Sequence, residues 1–347
     1  MSLAPGQYTF TLVVRGTGRT ARATLPANVR NRVIVSLGDS YASGEGNPRN
    51  VDAWLGLRSP LGSFRAYYDN EPCRRSAQAA PAQAALRLEQ ADRRSTVTFV
   101  HLACSGASIQ RGILAPQVSG IPAQIDALAA LAKATPIDAI VISVGGNDIG
   151  FGTILETCLL NNDCPLARAS SGPLSRYPNI QDGAQQLLGQ LERDFRTLNQ
   201  RIRAITPSAP IYITMYPDIT RNAAGGPCSY LGMPQRDFAW ARDTLLVPNP
   251  APTYPYRTSA GATVSLTLPN GSLNAQVAGT QALGWQPIVE SWAASGESAR
   301  GHGICALDES WVIGVNFNGN TSGSFHPNPR GQIVIADAIV NAMSSAA

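Results

Sequence analysis

The sequence predicts an α/β fold, a parallel sheet with helices on both faces. Two observations point to it. Three apolar, β-branched runs, 33–37, 98–102 and 137–144, each stop at small or polar turn residues, as buried strands do. Helical patterns separate and follow them, and strands alternating with helices of this length imply parallel pairing.

Taken in order, residues 7–14 put Tyr8, Phe10, Leu12 and Val14 on one face of a strand; Gly16-Thr17-Gly18 turns the chain and 21–25 runs back, a β-hairpin. A hairpin is too short to be a domain alone. It reads either as the end of a preceding β-sandwich, the preferred reading, or as an extra ribbon on the core. This sets an N-terminal extension, 1–31, apart from a domain at 32–347. The first apolar run ends in Gly38-Asp39-Ser40, a tight turn at the strand's C-terminal end, where α/β sheets place their active sites. Residues 46–70 follow without a clear period and carry Trp54, Phe64, Tyr67 and Tyr68, which suit either a cleft lining or a cover for a sheet edge.

A helix is expected from Ala80, with Pro81 at its start and Ala84, Leu86, Leu88 and Ala91 at helical spacing. The second strand ends in Cys104-Ser105-Gly106. A helix over 122–133 leads to the third, which ends in Gly145-Gly146-Asn147-Asp148. Just beyond, residues 149–152 and the first cysteine loop read as a connecting loop beside the site, with Phe151 a candidate wall of an acyl pocket. Leu187, Leu188, Leu191, Phe195, Leu198 and Ile202 mark a long core helix over 181–205, before a strand at 211–217. Residues 218–311 are longer than a connection needs and read as an insertion. It includes the run Val247-Pro248-Asn249-Pro250-Ala251-Pro252 and an expected hairpin, 264–268 pairing with 273–277 around Pro269-Asn270-Gly271. An amphipathic helix over 331–343 closes the chain and fixes the loop that bears His326.

The residues at these strand ends suit acyl transfer. Ester hydrolysis needs a nucleophile, a base for its proton, and donors aimed at the oxygen that becomes negative. Ser40 supplies the first and His326 the second. The backbone N–H groups of Ser40 and Gly106 and the side-chain amide of Asn147 supply the third. Singly, Gly106 reads as a turn glycine, Asn147 as a helix cap and His326 as a surface residue before Pro327. Their joint occurrence at three strand ends and one helix start is what favours chemistry.

At 347 residues the chain can bury one domain of about 250 residues with elaborations. Hydrophobic residues are 44% and charged residues 14%; the net charge is +4, nearly all arginine, with Lys133 the lone lysine. No basic run marks a nucleic-acid stripe. No apolar run reaches the length of a membrane helix, and Met1-Ser2-Leu3-Ala4-Pro5 lacks the charged start and apolar stretch of a signal peptide. The three histidines, His101, His302 and His326, form no ligand set, so neither metal nor cofactor is expected. Six cysteines with no Cys-x-x-Cys, at 73, 104, 158, 164, 228 and 305, argue for disulfides and an oxidising compartment; fifteen pairings are open.

Gly38-Asp39-Ser40, Gly106, Asn147 and His326, in this order, with Gly301-His302-Gly303-Ile304-Cys305 followed by Trp311, make residues 32–347 resemble the SGNH hydrolases, also called GDSL esterases and lipases. The resemblance implies a three-layer α/β/α, flavodoxin-like fold and a secreted carboxylic ester hydrolase. It also implies sequential bridges, Cys73–Cys104, Cys158–Cys164 and Cys228–Cys305. The expected partner is an ester of a lipid or an acylated saccharide, met by a monomer with no nucleic acid and no stable membrane insertion. One position departs from the pattern. Most relatives carry Asp three residues before the catalytic His, and here that place is Gly323. A Ser-His dyad is therefore expected, with the Ser324 carbonyl orienting His326; Asp308 is the alternative acceptor, and His302 a rival base with a more plausible structural role. The competing class is a carbohydrate- or envelope-binding module on a degenerate hydrolase fold.

Overall fold

The computed structural model describes residues 6–48, 68–92, 94–288, 301–315 and 323–345. Of the aromatics in the loop after the Gly-Asp-Ser turn, Trp54, Phe64 and Tyr67 lie outside the described residues. Strand β1 (Gly6–Gly16) pairs antiparallel with the first half of β2 (Arg19–Gly38), placing Tyr8, Phe10, Leu12 and Val14 opposite Ala27, Leu25, Ala23 and Ala21. That face is wholly apolar, yet Phe10, Leu12, Val14 and Leu25 are 46%, 65%, 56% and 66% exposed, so the ribbon does not pack on the core. The strand expected to begin near residue 33 is the second half of β2, which runs unbroken through residues 31 and 32.

That second half, with Val33, Ile34, Val35 and Leu37 buried, lies within the main sheet. Helix α1 (Ser40–Ser43) follows it, then α2 (Ala80–Ala91), β3 (Ser95–His101), α3 (Gln124–Ala134), β4 (Ala139–Ser143), α4 (Phe151–Leu160), α5 (Ile180–Ile205) and β5 (Ile211–Thr214). Residues 218–311 include α6 (Gln235–Ala241), the hairpin strands β6 (Thr253–Arg257) and β7 (Thr263–Thr267), α7 (Leu273–Gly279) and β8 (Gln286–Ile288); α8 (Pro329–Ser345) completes the order. The parallel strands run β3-β2-β4-β5-β8. The path from β2 to β3 and the path from β3 to β4 travel in opposite directions across the sheet. Right-handed crossovers then put α2 and α3 on opposite faces, the three-layer flavodoxin-like arrangement. Helix α8 packs on α2, while α3 and α7 pack on α5. Helix α5 is capped by the Asn179 side chain, which accepts from Asp182 N at 2.8 Å, and it buries the apolar stripe read from its sequence.

Two local expectations change. Residues 273–277 do not return as a strand, because Ser272 caps a helix there, accepting from Ala275 N at 3.0 Å, with Leu273 and Val277 buried four residues apart. Strand β7 pairs instead with β6 upstream, from Thr253↔Thr267 to Arg257↔Thr263. The stretch opening at Phe151 is a helix rather than a loop, and Phe151 is half-buried against the main core. Trp240 of α6 is fully buried and donates its indole N–H to Gln181 Oε1 of α5 at 2.8 Å, which ties α6 to the core.

The cysteines pair Cys73–Cys104, Cys158–Cys164 and Cys228–Cys305, and none is free. Each bridge removes two hydrogens, so the native protein should weigh about 6 Da less than its reduced form. Intact mass under non-reducing conditions checks this, and a match to the reduced mass would mean free thiols.

Candidate active site

The site is organised around Gly38, the last residue of β2. Its φ is +129°, and a Cβ there would fall 2.0 Å from the Ser143 carbonyl oxygen, so only glycine lets β2 and β4 end this close together. Asp39 N donates to Ser143 O and Cys104 N to Gly38 O, each at 2.9 Å. From α3, the Gln124 amide donates to Gly38 O and accepts from Gly38 N, both at 2.8 Å. The ends of β2, β3 and β4 are thereby held together at the point where the strand order reverses, the usual ligand position of an open α/β sheet.

Ser40 is the first residue of α1, which Asp39 caps by accepting from Tyr41 N at 2.9 Å. Ser40 is partly exposed. Its backbone N–H precedes the helix's own hydrogen bonds and has no backbone acceptor among the described residues. Gly106 N–H is likewise unspent; this exposed residue has φ +78°. Its loop is stapled by the Cys73–Cys104 bridge, by Ser105 N donating to Cys73 O at 3.0 Å, and by Gln117 Nε2 donating to Ser105 O at 2.7 Å. Asn147 Nδ2 donates to Ala107 O at 2.9 Å, which fixes the amide beside Gly106 and leaves its second hydrogen available.

His326 sits at the start of the turn into α8. Its Nδ1 lies 2.9 Å from Ser324 O, so Nδ1 carries the hydrogen and Nε2 keeps its lone pair, the tautomer a base requires. Its ring is 5.2 Å from that of Tyr41, whose hydroxyl donates to Phe325 O at 2.9 Å; the neighbours of Ser40 and His326 are thus bonded directly. Burial lowers the imidazole's pKa. Asp308 does not join this group: it is exposed, and its backbone carbonyl accepts from the Arg330 guanidinium. His302 stacks on Trp311 with ring centroids 3.8 Å apart and its Nδ1 2.5 Å from Glu309 O, a structural placement.

Further groups surround the site that the sequence did not single out. The Tyr216 hydroxyl donates to Asp39 Oδ2 and accepts from Gly146 N at 2.9 Å, linking the serine turn to the Gly-Gly-Asn turn. Burial pushes Asp39 up to about 7, against the pull of the Tyr216 hydrogen bond. Burial likewise pushes Asp148, which accepts from Ile109 N at 2.9 Å, up to about 7. Glu45, five residues after the serine, is completely buried and ion-paired with Arg74 at 2.5 Å. The signal for Tyr216 was its position two residues past a parallel strand. None in the sequence marked Glu45, whose partner lies in another loop.

Residues 36–333 match the model of the GDSL-like Lipase/Acylhydrolase family. A lipase of Streptomyces rimosus is 27% identical over 223 residues, 64% of this chain and 65% of its own length. Lipase 1 of Streptomyces coelicolor is 28% identical over 202 residues, 57% of this chain and 56% of its own length. The match therefore spans less than two thirds of either relative. In structure, the chain is similar to the extracellular lipase of Streptomyces rimosus, with a TM-score of 0.55 and 21% identity over 91% of this chain and all of that one. A phospholipase A1 of Streptomyces albidoflavus has a TM-score of 0.53 and 20% identity over 91% of this chain and 99% of that one.

Proposed function

The chain belongs to the GDSL-like lipase/acylhydrolase family, and from that premise we propose that it hydrolyses carboxylic esters through an acyl-enzyme on Ser40. His326 Nε2 takes the Ser40 proton as Oγ bonds to the ester carbonyl carbon. The carbonyl electron pair moves to its oxygen, where Ser40 N–H, Gly106 N–H and the Asn147 amide donate. Each such donor is worth about 3 kcal/mol in the transition state. Collapse of that intermediate expels the alcohol, which takes the proton from His326; water then releases the acid by the same route. The observation that carries this reading is the hydrogen bond between His326 Nδ1 and Ser324 O, in a loop bonded to α1 through Tyr41 and Phe325. It supports a dyad whose base has its tautomer fixed by a carbonyl.

The substrate is an ester of a lipid or of an acylated saccharide. The three disulfides and the extracellular lipase among the similar proteins support an extracytoplasmic location. No described helix is long and apolar enough to cross a membrane. The hydrolase domain is taken as 32–347, with 218–311 inserted and 1–31 an extension.

A panel of aryl esters of increasing acyl length tests the function. Turnover is expected. A preference for short acyl groups marks an acetyl esterase and a preference for long ones a lipase. No turnover of any ester, with binding to saccharide retained, would replace the enzyme by a binding module.

A further inference from the structure

The two residues after Glu45 lie against the loop that carries His326. Gly44 ends α1 with φ +85°, and the next residues press on that loop from both sides of the histidine. A Cβ on Gly46 would stand 2.3 Å from Ile313 Cδ1 and 3.3 Å from Gly323 O, while Asn47 Nδ2 donates to Pro327 O at 2.8 Å. Glu45, immediately before them, has no solvent exposure. One carboxylate oxygen is taken by Arg74 Nη1 at 2.5 Å, and the other, Oε2, is buried without a hydrogen-bond partner. A buried carboxylate with a spare oxygen is costly unless a cation comes within its reach.

The proposed reaction generates such a cation. When Ser40 Oγ bonds to the ester carbon, its O–H bond breaks, the proton joins His326 Nε2, and a neutral ring becomes an imidazolium. Ser324 O gives that ion only a neutral acceptor. We infer that Glu45 is the positioning carboxylate of this dyad, a buried anion that stabilises the His326 imidazolium, with Arg74 limiting its strength. The inference rests on the ester-hydrolase reading.

The charges around the imidazole agree. Burial works most strongly against the charged ring. Glu45 favours it, as do the Ser324 and Gly323 carbonyls, and Arg74 opposes it. Tyr41, whose ring is nearest, is held neutral by burial, which raises its pKa. Removing Glu45's charge should therefore lower the pKa of His326, and removing Arg74's should raise it.

The test is the pH profile of kcat/KM, whose acid limb reports the free enzyme's base. In Glu45→Gln the limb is expected to move down by about one pH unit, while the plateau kcat falls about tenfold because the imidazolium loses its anion. In Arg74→Gln the limb is expected to move up. A purely structural glutamate would change stability or kcat and leave the limb in place, so an unmoved limb in folded variants of both residues overturns the assignment. Should Glu45→Gln fail to fold, Arg74→Gln decides alone, by an upward shift or none. A wild-type protein that neither turns over esters nor takes an organophosphate on Ser40 would fail at the earlier step and remove the hydrolase reading itself.

Discussion

Replacing Ser40 by alanine is expected to abolish ester turnover, a loss of about 10⁶-fold in kcat on the scale of serine nucleophile removals, while leaving the fold intact. Ser40 is partly exposed at the start of a four-residue helix, and that helix is capped by Asp39 rather than by Ser40. The substitution leaves no cavity and no buried group unpaired, so the stability change should stay within about 0.5 kcal/mol. Thermal melts of the two proteins check the second part. A labelled organophosphate should attach to Ser40 in the parent and to nothing in the variant; attachment to another serine would move the nucleophile elsewhere.

The second large effect separates a dyad from a triad. His326→Ala should cost several orders of magnitude in kcat/KM, since it removes the imidazole proposed to take the Ser40 proton. Asp308→Asn should change kcat/KM less than about tenfold, whereas an Asp that completes a triad costs about 10⁴-fold when amidated, partly through the wrong tautomer. The difference follows from geometry: Asp308 is exposed, and the Nδ1 hydrogen is already accepted by Ser324 O at 2.9 Å. His302→Ala should leave the chemistry intact and lose only its stacking on Trp311. A collapse of the Asp308 variant as deep as that of the His326 variant would show that a distant acid completes a triad.

Strands β2 and β4 were legible because strands buried on both faces are short apolar runs punctuated by turn residues, and β3 through its own apolar run although its side chains are mostly half-buried or exposed. Gly38, Gly106 and Asn147 stood out as candidates for a related reason, since turn residues at the C-terminal ends of parallel strands are where such sheets carry their chemistry; His326 stood out because it comes just before the terminal helix. Strand β8 was not seen. Its three residues, Gln286, Pro287 and Ile288, carry no alternation and owe their strand state to pairing with β5. The hairpin in the insertion was sought around Pro269-Asn270-Gly271, a strong local turn signal, but the signal marks the entry to α7, where the Ser272 cap prevails. Glu45 escaped for a different reason. Its character comes from burial and from Arg74, 29 residues away, and neither leaves a periodic trace in the sequence.

Strand β2 has a mechanical consequence. Its 20 residues pass without a break from the exposed ribbon to the glycine behind the nucleophile, a span of about 60 Å. Its pairing passes from β1, as far as Val29, to β3, from Arg30 onward, with no unpaired residue between, so a displacement at the base of the ribbon is carried by the same strand that ends at the candidate site.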